Sequence, residues 1–339
     1  DIYGNPSSLH HEGVVARKIV EAAREAVASA INAEPDEIYF TSGATEANEW
    51  ALSGETCPLV SNIEHSSVLQ YPGRGPKVFK SVRNGIVVVE GDADQRIKRG
   101  STMCSVMAVN NETGAVQDIQ SLCDFAHQFP GVKFHTDATQ TVGHIPVDVK
   151  EWGCDMLSMS AHKFGGPKGV GALFIRRGIK KAPLLHGGGQ EGHLRAGTEN
   201  VIGIVGMAAA IEWATKDLND KSDYLSALKS RLISGMKKID DVSIVGHPKK
   251  HSPSISCFIV GGVEGQALVL ALDERGVCAS SGSACHEGSF GGSHVLRAMG
   301  YTEEEAKSAL RISIGTETTV EDVDYIVQAV EESVKELRR

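Results

Sequence analysis

Short apolar runs alternate with helix-forming stretches through residues 1–217 of this sequence. The runs typical of strands lie at 38–41, 59–61, 102–107, 133–136, 156–158 and 169–175. Helical patterns lie between several of them, including one over 119–129. Strands that alternate with helices are typical of a mainly parallel sheet covered on both faces. The pattern therefore predicts an α/β fold for this part of the chain.

The first helix is predicted to begin after Ser7, whose hydroxyl can cap the first turn. Apolar residues then recur at helical spacing. They are Val15, Ile19, Ala22, Ala26 and Ala30. We predict that these positions form the apolar face of the helix.

A chain of 339 residues is longer than one typical domain, and its pattern changes near Leu218. Beyond that point we predict a smaller α+β unit. Its helices and strands are expected at 224–239, 243–245, 255–260, 266–275, 310–314 and from 320 onward. The sequence thus predicts a large domain over 1–217 and a small C-terminal domain over 218–339.

The composition excludes several classes of protein. Hydrophobic residues make up 41% and charged residues 23% of the chain, as in ordinary globular proteins. A formal net charge of −9 argues against general binding to nucleic acid or to an anionic membrane. No apolar run approaches the roughly 20 residues that a membrane-spanning helix needs. We therefore expect neither nucleic acid nor membrane as a partner.

The seven cysteines are scattered without a Cys-x-x-Cys pair, so they predict neither a metal site nor a disulfide framework. This usage favours a reducing cytoplasm in which most thiols are buried and inert. Cys285 differs from the others, because small residues flank it in the run 280–288. A thiol on such a loop is predicted to be exposed and reactive.

Several chemically capable side chains follow the predicted strands. Lys163 comes shortly after one strand, beside Ser160 and His162, while Asp137 and Gln140 follow another. A lysine for a Schiff base, an acid for a pyridinium proton and hydroxyls for a phosphate are the parts of a pyridoxal phosphate site. Taken alone, Lys163 would be interpreted as a surface lysine and Asp137 as a helix cap.

Two further elements fit the same site. The strand-to-helix turn at 42–45 offers backbone N–H groups and a helix dipole to an anion, and Thr45 adds a hydroxyl. A plain helix cap is the simpler interpretation of that turn. His65 also follows a strand, although an isolated histidine is more often structural than catalytic. At the same edge of the sheet it could lie against a flat cofactor and move protons near neutral pH.

Together these motifs resemble those of cysteine desulfurases of the NifS/IscS type. These are class V aminotransferases among the fold-type I, aspartate aminotransferase-like pyridoxal phosphate enzymes. The matching segments lie in register at 3–7, 41–46, 64–65, 109–114, 137–140, 160–163, 186–191, 195–198, 280–285 and 311–313. The resemblance implies a large cofactor-binding domain with a mainly parallel, seven-stranded sheet and a small domain that carries the catalytic cysteine loop. The resemblance also implies a further segment before Tyr3, which is usual in the family. Residues 286–288 differ from those that usually follow the cysteine in the family.

The resemblance implies a role for each matching side chain. Lys163 would form the Schiff base with pyridoxal phosphate and move the α-proton, and His65 would stack on the ring. Asp137 would pair with the pyridine nitrogen, with Gln140 near the phenolic oxygen. Cys285 would be the nucleophile that receives sulfur.

Other implied roles concern the phosphate, the substrate and a second subunit. Thr198 would reach the phosphate in the partner subunit's site. Asn111 and Arg311 would bind the substrate carboxylate, since a guanidinium fork fits that group, and Asn111 is also expected beside the cofactor. The phosphate of the chain's own site would be held by Ala44, Thr45, Ser160 and His162.

The implied activity is the conversion of L-cysteine to L-alanine, with the sulfur transferred to a persulfide on Cys285. Sulfur would then pass to an acceptor protein, for iron–sulfur cluster assembly or tRNA thiolation. The resemblance also implies a homodimer. Two kinds of alternative stay open: a selenocysteine lyase-like or cysteine sulfinate-type lyase on the same scaffold, and a catalytically inactive adaptor that binds an iron–sulfur scaffold. Retention of Lys163, Asp137, His65 and Cys285 argues against the adaptor.

Overall fold

The computed structural model describes residues 3–73, 77–89, 91, 93–282 and 292–339. The chain forms two compact units. The first comprises Asp1–Phe79, Glu90–Ala108 and Asp118–Leu218, and the second comprises Lys80–Val89, Val109–Gln117 and Asn219–Arg339. Two short segments, Lys80–Val89 and Val109–Gln117, thus group with the C-terminal residues. A single boundary in the sequence does not describe this division.

Helices and strands alternate along the described part of the chain. The strands are β1 (Ile38–Thr41), β2 (Leu59–Ser61), β3 (Lys77–Ser81), β4 (Val87–Val89), β5 (Met103–Ser105), β6 (Lys133–Asp137), β7 (Met156–Ser160), β8 (Gly171–Ile175), β9 (Val242–Val245), β10 (Ile255–Val260) and β11 (Ala309–Ser313). The helices are α1 (His11–Ala30), α2 (Ala44–Leu52), α3 (Ser66–Leu69), α4 (Ala93–Lys98), α5 (Ile119–His127), α6 (Val149–Trp152), α7 (Val201–Thr215), α8 (Leu218–Met236), α9 (Gly265–Asp273), α10 (His294–Ala298), α11 (Glu303–Lys307) and α12 (Val320–Leu337). Short 3-10 turns lie at Pro35–Glu37, Ala161–Phe164 and Gln190–His193.

The first unit is built on a mainly parallel sheet. Its strands follow the order β1-β8-β7-β6-β5-β2-β3. The neighbours from β7 to β3 pair in parallel, whereas β8 runs antiparallel to both β1 and β7. The link between β7 and β8 is shorter than the crossover that parallel strands need, which accounts for the reversed strand. The predicted α/β fold is confirmed.

One edge of this sheet collects the ends of several strands. β1 and β7 run in the same direction, because both are antiparallel to β8. The carboxyl ends of β1, β2, β5, β6 and β7 therefore meet at one edge, together with the amino end of β8. We call this the C-terminal edge. It is the edge at which ligands bind in open α/β sheets.

The second unit contains a smaller antiparallel sheet. Its strands follow the order β11-β10-β9, and its core includes the fully buried Leu232, Phe258 and Val330. β4 is the eighth strand in the order of the larger sheet, next to β3. The segment Val109–Gln117 is attached by backbone hydrogen bonds, among them Ser252 N–H to the Gly114 carbonyl at 2.7 Å.

The predicted start and face of α1 are wrong. His10, not Ser7, is the N-cap residue, and its Nδ1 accepts from the Gly13 N–H at 3.3 Å. The buried face lies one position beyond the predicted one, at Ala16, Val20, Ala23 and Val27. Small and apolar residues occupy both neighbouring faces of this helix, so periodicity alone does not choose between them.

The sequence pattern did not reveal α7. This helix is apolar around its whole circumference, so it lacks the one-sided pattern that marks a surface helix. Ile204, Met207 and Ile211 are buried, whereas Ile202 and Trp213 are 77% and 54% exposed. Among the described helices, none is both long and apolar enough to cross a membrane.

Candidate active site

The turn between β1 and α2 forms an open helix N-terminus. Gly43 is the N-cap residue of α2, and no side chain caps the helix there. Its φ of 153° is a backbone conformation that side chains rarely adopt. Ala44 and Thr45 form the start of the first turn. Backbone N–H groups and the helix dipole at such a terminus attract anions.

The neighbouring strands bring polar side chains to this turn. A Cβ on Gly171 would lie 2.7 Å from the Cα of Gly43, so glycine lets the start of β8 approach the turn. The Oγ of Ser160, at the end of β7, is 3.6 Å from the position that a Cβ on Gly43 would take. The same Oγ lies 3.0 Å from Nδ1 of His162. The resulting space suits a phosphate group.

Glu46 and Arg195 hold this turn beside the loop that carries Thr198. The Ser42 N–H donates to Glu46 Oε2 at 2.8 Å, and the Arg195 guanidinium binds the two carboxylate oxygens at 2.8 and 3.2 Å. Ser42 and Thr198 line one cavity of about 70 Å³. Thr198 itself is exposed.

The same loop has a second anchor that sequence reasoning did not identify. Glu191 binds the Arg24 guanidinium through both carboxylate oxygens, at 2.8 and 2.9 Å, and accepts from the Phe40 N–H at 2.9 Å. Its φ of 45° is unusual for a side chain other than glycine. These contacts compensate for the strained backbone and fix the loop to α1 and β1.

Asp137 lies at the carboxyl end of β6 and is 4% exposed. Its Oδ1 accepts from the Thr139 N–H at 2.9 Å, and its Oδ2 accepts from Nδ2 of Asn48 at 2.7 Å. The bond to Thr139 is the local turn contact expected of an ordinary aspartate. The bond to Asn48 comes from another element, so the carboxylate is fixed from two sides.

Lys163 lies on the 3-10 turn after β7, and its side chain is exposed. Its carbonyl oxygen accepts from Nε2 of His144 at 2.8 Å. Burial lowers the pKa of His144, which keeps this ring neutral near pH 7. The backbone of Lys163 is therefore held at the C-terminal edge.

Gln140 and His65 also lie at this edge. Gln140 is half-buried in the turn after β6. His65 follows β2 and is the N-cap residue of α3, where its Nδ1 accepts from the Ser67 N–H at 3.2 Å. The first unit thus brings together the predicted residues that it contains, apart from Thr198 on its separate loop. Those at the edge are Ala44, Thr45, His65, Asp137, Gln140, Ser160, His162 and Lys163.

Glu64 is a buried acid that sequence reasoning missed. It is fully buried beside His65, accepts from the hydroxyl of Ser61, and accepts from the Met107 N–H at 2.8 Å. Burial raises its pKa to about 8, and the negative charge of Asp137 acts in the same direction. Its one sequence signal was its place beside His65 in the family motif at 64–65.

Replacing Glu64 with glutamine is expected to flatten the pH dependence of stability. Its folded pKa of about 8 exceeds the usual 4.5, so the folded state retains a proton that the unfolded chain releases. This contribution to stability is fully present below pH 4.5 and is lost as the pH rises to about 8. Glutamine is neutral at every pH. The variant should therefore lack a pH dependence of the free energy of unfolding whose slope is up to about 1.4 kcal/mol per pH unit.

Urea unfolding of wild type and Glu64→Gln between pH 5 and about pH 8 measures this effect. The variant should gain stability over wild type as the pH rises. Glu49→Gln, at an exposed position of α2, is the control and should follow wild type. A slope equal in wild type and Glu64→Gln would contradict the buried-proton interpretation.

The second unit brings Arg311 and Asn111 together. Nη1 of Arg311, on β11, donates to the Asn111 carbonyl oxygen at 2.9 Å. The backbone of Arg311 pairs with Ser280 through bonds of 2.6 and 3.1 Å. Beside them, Glu112 is buried, accepts from the hydroxyl of Ser293, and has its pKa raised to about 7 by burial. Cys285 lies outside the described residues.

The cysteines of the described residues fall into two groups. Cys104, Cys123, Cys154 and Cys257 are buried. Burial raises the pKa of Cys123 well above its usual value and that of the other three to about 12, which makes all four poor nucleophiles. Cys57 and Cys278 are exposed. Within the same residues, no group of three or more histidine, cysteine or acidic side chains is placed to hold a metal ion.

Comparison with known proteins connects this geometry to a family. The family described as aminotransferase class-V matches residues 1–326. The chain is 42% identical to cysteine desulfurase IscS of Dictyoglomus turgidum, over 99% of this chain and 89% of that protein. It is similar to the structure of a NifS-like protein from Rickettsia africae, with a TM-score of 0.90 and 31% identity over 98% of this chain and 92% of that one. It is also similar to SspA in complex with cysteine, with a TM-score of 0.79 and 30% identity over 94% and 93% of the two chains.

These matches extend over both units and bear out the resemblance seen in the sequence motifs. This chain, whose larger sheet has the antiparallel strand β8 beside β1, superposes on NifS-like structures. The chain therefore belongs to the class-V aminotransferase family and, within it, to the cysteine desulfurases.

Proposed function

We propose that this protein converts L-cysteine to L-alanine and transfers the sulfur atom to Cys285. The observation that carries the proposal is the position of Lys163, Asp137 and the Gly43 turn at one edge of a single sheet, in a chain of the desulfurase family. The similar SspA structure is a complex with cysteine, which supports cysteine as the substrate.

The C-terminal edge fits pyridoxal phosphate. The uncapped start of α2, with the Ser160 hydroxyl beside it, suits the phosphate, and the buried carboxylate of Asp137 suits the pyridine nitrogen. When bound, pyridoxal phosphate supplies an electron sink for negative charge at the α-carbon of an amino acid. The residues that would hold it are Ala44, Thr45, His65, Asp137, Gln140, Ser160, His162 and Lys163, with Asn111 added on the basis of the family motif.

Lys163 is the group we assign to the tether and to the α-proton. Its backbone is held by His144, and its side chain is exposed and carries the primary amine that both tasks need. His65 is assigned to proton transfer at the same edge, because its Nδ1 is occupied by the Ser67 N–H and its Nε2 remains for this task.

Arg311 and Asn111 are the residues we assign to the substrate carboxylate. A guanidinium group has five N–H donors, and one of them is used on the Asn111 carbonyl. A fork of N–H groups binds a carboxylate with two parallel hydrogen bonds, which fixes the orientation of the amino acid.

The sulfur transfer follows thiol exchange chemistry. The thiolate of Cys285 attacks the sulfur of the substrate, so that a sulfur–sulfur bond forms and the carbon–sulfur bond breaks. The electron pair of the broken bond stays with the substrate carbon, which takes up a proton to become the methyl group of alanine. Cys285 is left as a persulfide, which we propose is delivered to an acceptor protein for iron–sulfur cluster assembly or tRNA thiolation in the cytoplasm.

A homodimer forms part of the proposal. Ile202, Val205 and Trp213 share one exposed, apolar face of α7, a helix whose other faces are also apolar. Thr198 lies shortly before this helix on an anchored loop. A second copy that covers this face would bring Thr198 toward the phosphate of its partner, as a two-fold interface requires.

Replacing Cys285 with serine is expected to abolish persulfide formation, because a hydroxyl does not capture the sulfur of the substrate. The protein is incubated with L-cysteine, and mass spectrometry measures the addition of one sulfur atom to the peptide that contains residue 285. Binding of pyridoxal phosphate, followed by its visible absorption, should stay as in wild type.

Cys278→Ser is the matched control, since this exposed thiol lies only a few residues away in the sequence. It should keep the persulfide. Unchanged sulfur release by Cys285→Ser would contradict the proposed step. Equal alanine formation from selenocysteine by wild type and Cys285→Ser would instead favour the lyase alternative.

A further inference from the structure

Asn48 of α2 is fully buried and uses both hydrogens of its side-chain amide. Nδ2 donates to Oδ2 of Asp137 at 2.7 Å and to Oγ of Ser67 at 2.9 Å. An amide nitrogen carries two hydrogens, so both are engaged. The opposite orientation of the amide would place its oxygen against the carboxylate, so the orientation is fixed by its partners.

Ser67 extends this network to His65. The Oγ of Ser67 is 2.9 Å from Nδ1 of His65, which also accepts from the Ser67 N–H at 3.2 Å. Nδ1 therefore carries a lone pair. Because Nδ2 of Asn48 can only donate, Nδ1 is the acceptor toward which the hydrogen of Oγ is directed. The neutral imidazole then carries its hydrogen on Nε2.

We propose that Asn48 is a positioning residue that couples the carboxylate of Asp137 to the tautomer of His65 through the hydroxyl of Ser67. Asp137 is fixed by one hydrogen of the amide, and the direction of the Ser67 hydroxyl by the other. The relevance to catalysis rests on the proposed function, because both ends of the chain of bonds belong to the proposed site.

The acceptor atom of Asn48 supports a specific role over simple packing. Its Oδ1 is buried and accepts no hydrogen bond from the described residues. A buried acceptor without a partner costs free energy, which a smaller side chain would avoid. The amide of Asn48 is favourable at this position because it supplies two donors, one to the carboxylate of Asp137 and one to the hydroxyl oxygen of Ser67.

Asn48→Asp provides the test, since aspartate has the same shape but accepts where asparagine donates. In this variant the carboxyl groups at 48 and 137 share one proton, and the one at 48 accepts from the Ser67 hydroxyl, which turns a lone pair toward Nδ1 of His65. We expect the ratio of the Nε2–H to the Nδ1–H tautomer of His65 to fall about fivefold, the effect of one ordinary hydrogen bond.

Nitrogen chemical shifts of the full chain labelled with ¹⁵N-histidine, recorded with and without pyridoxal phosphate, measure this ratio. His135 is an internal reference, because its ring lies between Ser105 and Ser158 at 2.8 and 2.9 Å, away from Ser67. Ser105→Ala is the matched control and should change His135 while leaving His65 as in wild type.

A second pair of variants separates coupling from packing. Asn48→Ala should weaken pyridoxal phosphate binding about tenfold, because Asp137 loses a hydrogen bond to a charged group, and should also alter the His65 shifts. Ser67→Ala should alter the His65 shifts alone. It also tests the proposal if Asn48→Asp does not fold.

His65 shifts that stay at their wild-type values in Asn48→Asp and Ser67→Ala would overturn the proposal. The readout does not depend on turnover, so this result would leave the desulfurase activity intact. Failure of the proposed function would appear instead as unchanged sulfur release by Cys285→Ser.

Discussion

Lys163→Ala is expected to lower alanine formation from L-cysteine by about 10⁴-fold or more, the order of loss seen when a covalent nucleophile is removed. Lys163 lies directly after β7, on a turn whose carbonyl is held by His144. Lys163 therefore lies at the C-terminal edge, the edge from which α2 also begins. Alanine provides neither the amine for the tether nor the base for the α-proton.

Two measurements separate these losses. Initial rates of alanine formation report the chemical step. Borohydride reduction followed by peptide mass spectrometry reports covalent attachment of pyridoxal phosphate at residue 163, which the variant should lack. Lys168→Ala is the matched control, because this exposed lysine lies in the next turn of the same connection. If attachment persists in Lys163→Ala or disappears in Lys168→Ala, the assignment of the tether is wrong.

The position of the candidate site at one edge of the sheet could be predicted from the sequence. Lys163, Asp137 and His65 each follow a short apolar run, and parallel strands place such positions at a common edge. β1, β2 and β10 have the predicted bounds, since each is a short apolar run bounded by polar or turn residues. The alternation of these runs with helices was sufficient for the fold class.

Periodicity failed where apolar residues occupy more than one face. α1 has small or apolar residues on two adjacent faces, and α7 has them on every face, so neither pattern selects the buried side. The antiparallel direction of β8 follows from the length of a connection rather than from the composition of the strand. The strands β3 and β4 were not among those predicted from the sequence.

The partners that organise the site could not be predicted either. Asn48 and Glu64 have no catalytic signature of their own, and their positions depend on contacts between residues far apart in the sequence. Glu191 meets Arg24 across 167 positions. Such contacts are set by the packing of helices on the sheet, which a single sequence does not specify.

Asp137→Asn is expected to lower turnover by about 10²–10³-fold, the usual loss when one preorganised electrostatic partner is removed. The carboxylate supplies the negative charge that would face the pyridine nitrogen, and asparagine is neutral. Asparagine also disturbs the hydrogen bonds. Thr139 N–H and Asn48 Nδ2 each donate to one oxygen of Asp137, whereas an asparagine side chain offers one oxygen only.

Asp155→Asn controls for the loss of a buried carboxylate. Asp155 precedes β7 at the opposite end of that strand, and its Oδ2 accepts from the Phe134 N–H at 2.7 Å and lies 2.9 Å from Nε2 of His127. We expect both variants to lose stability in thermal unfolding, by about 1–3 kcal/mol. Only Asp137→Asn should lose turnover when both are assayed below their unfolding temperatures.

The double variant Asp137→Asn with Asn48→Asp separates the charge from the hydrogen bonds. The exchanged pair can form a hydrogen bond in the reverse direction, with the amide at 137 donating to the carboxylate at 48 and still accepting from Thr139. We expect stability to recover in part, because the carboxylate at 48 accepts from both the amide at 137 and the Ser67 hydroxyl. Turnover should remain low, because the negative charge now lies on α2 instead of at the end of β6. Recovery of turnover along with stability would mean that Asp137 acts through its hydrogen bonds and not through its charge.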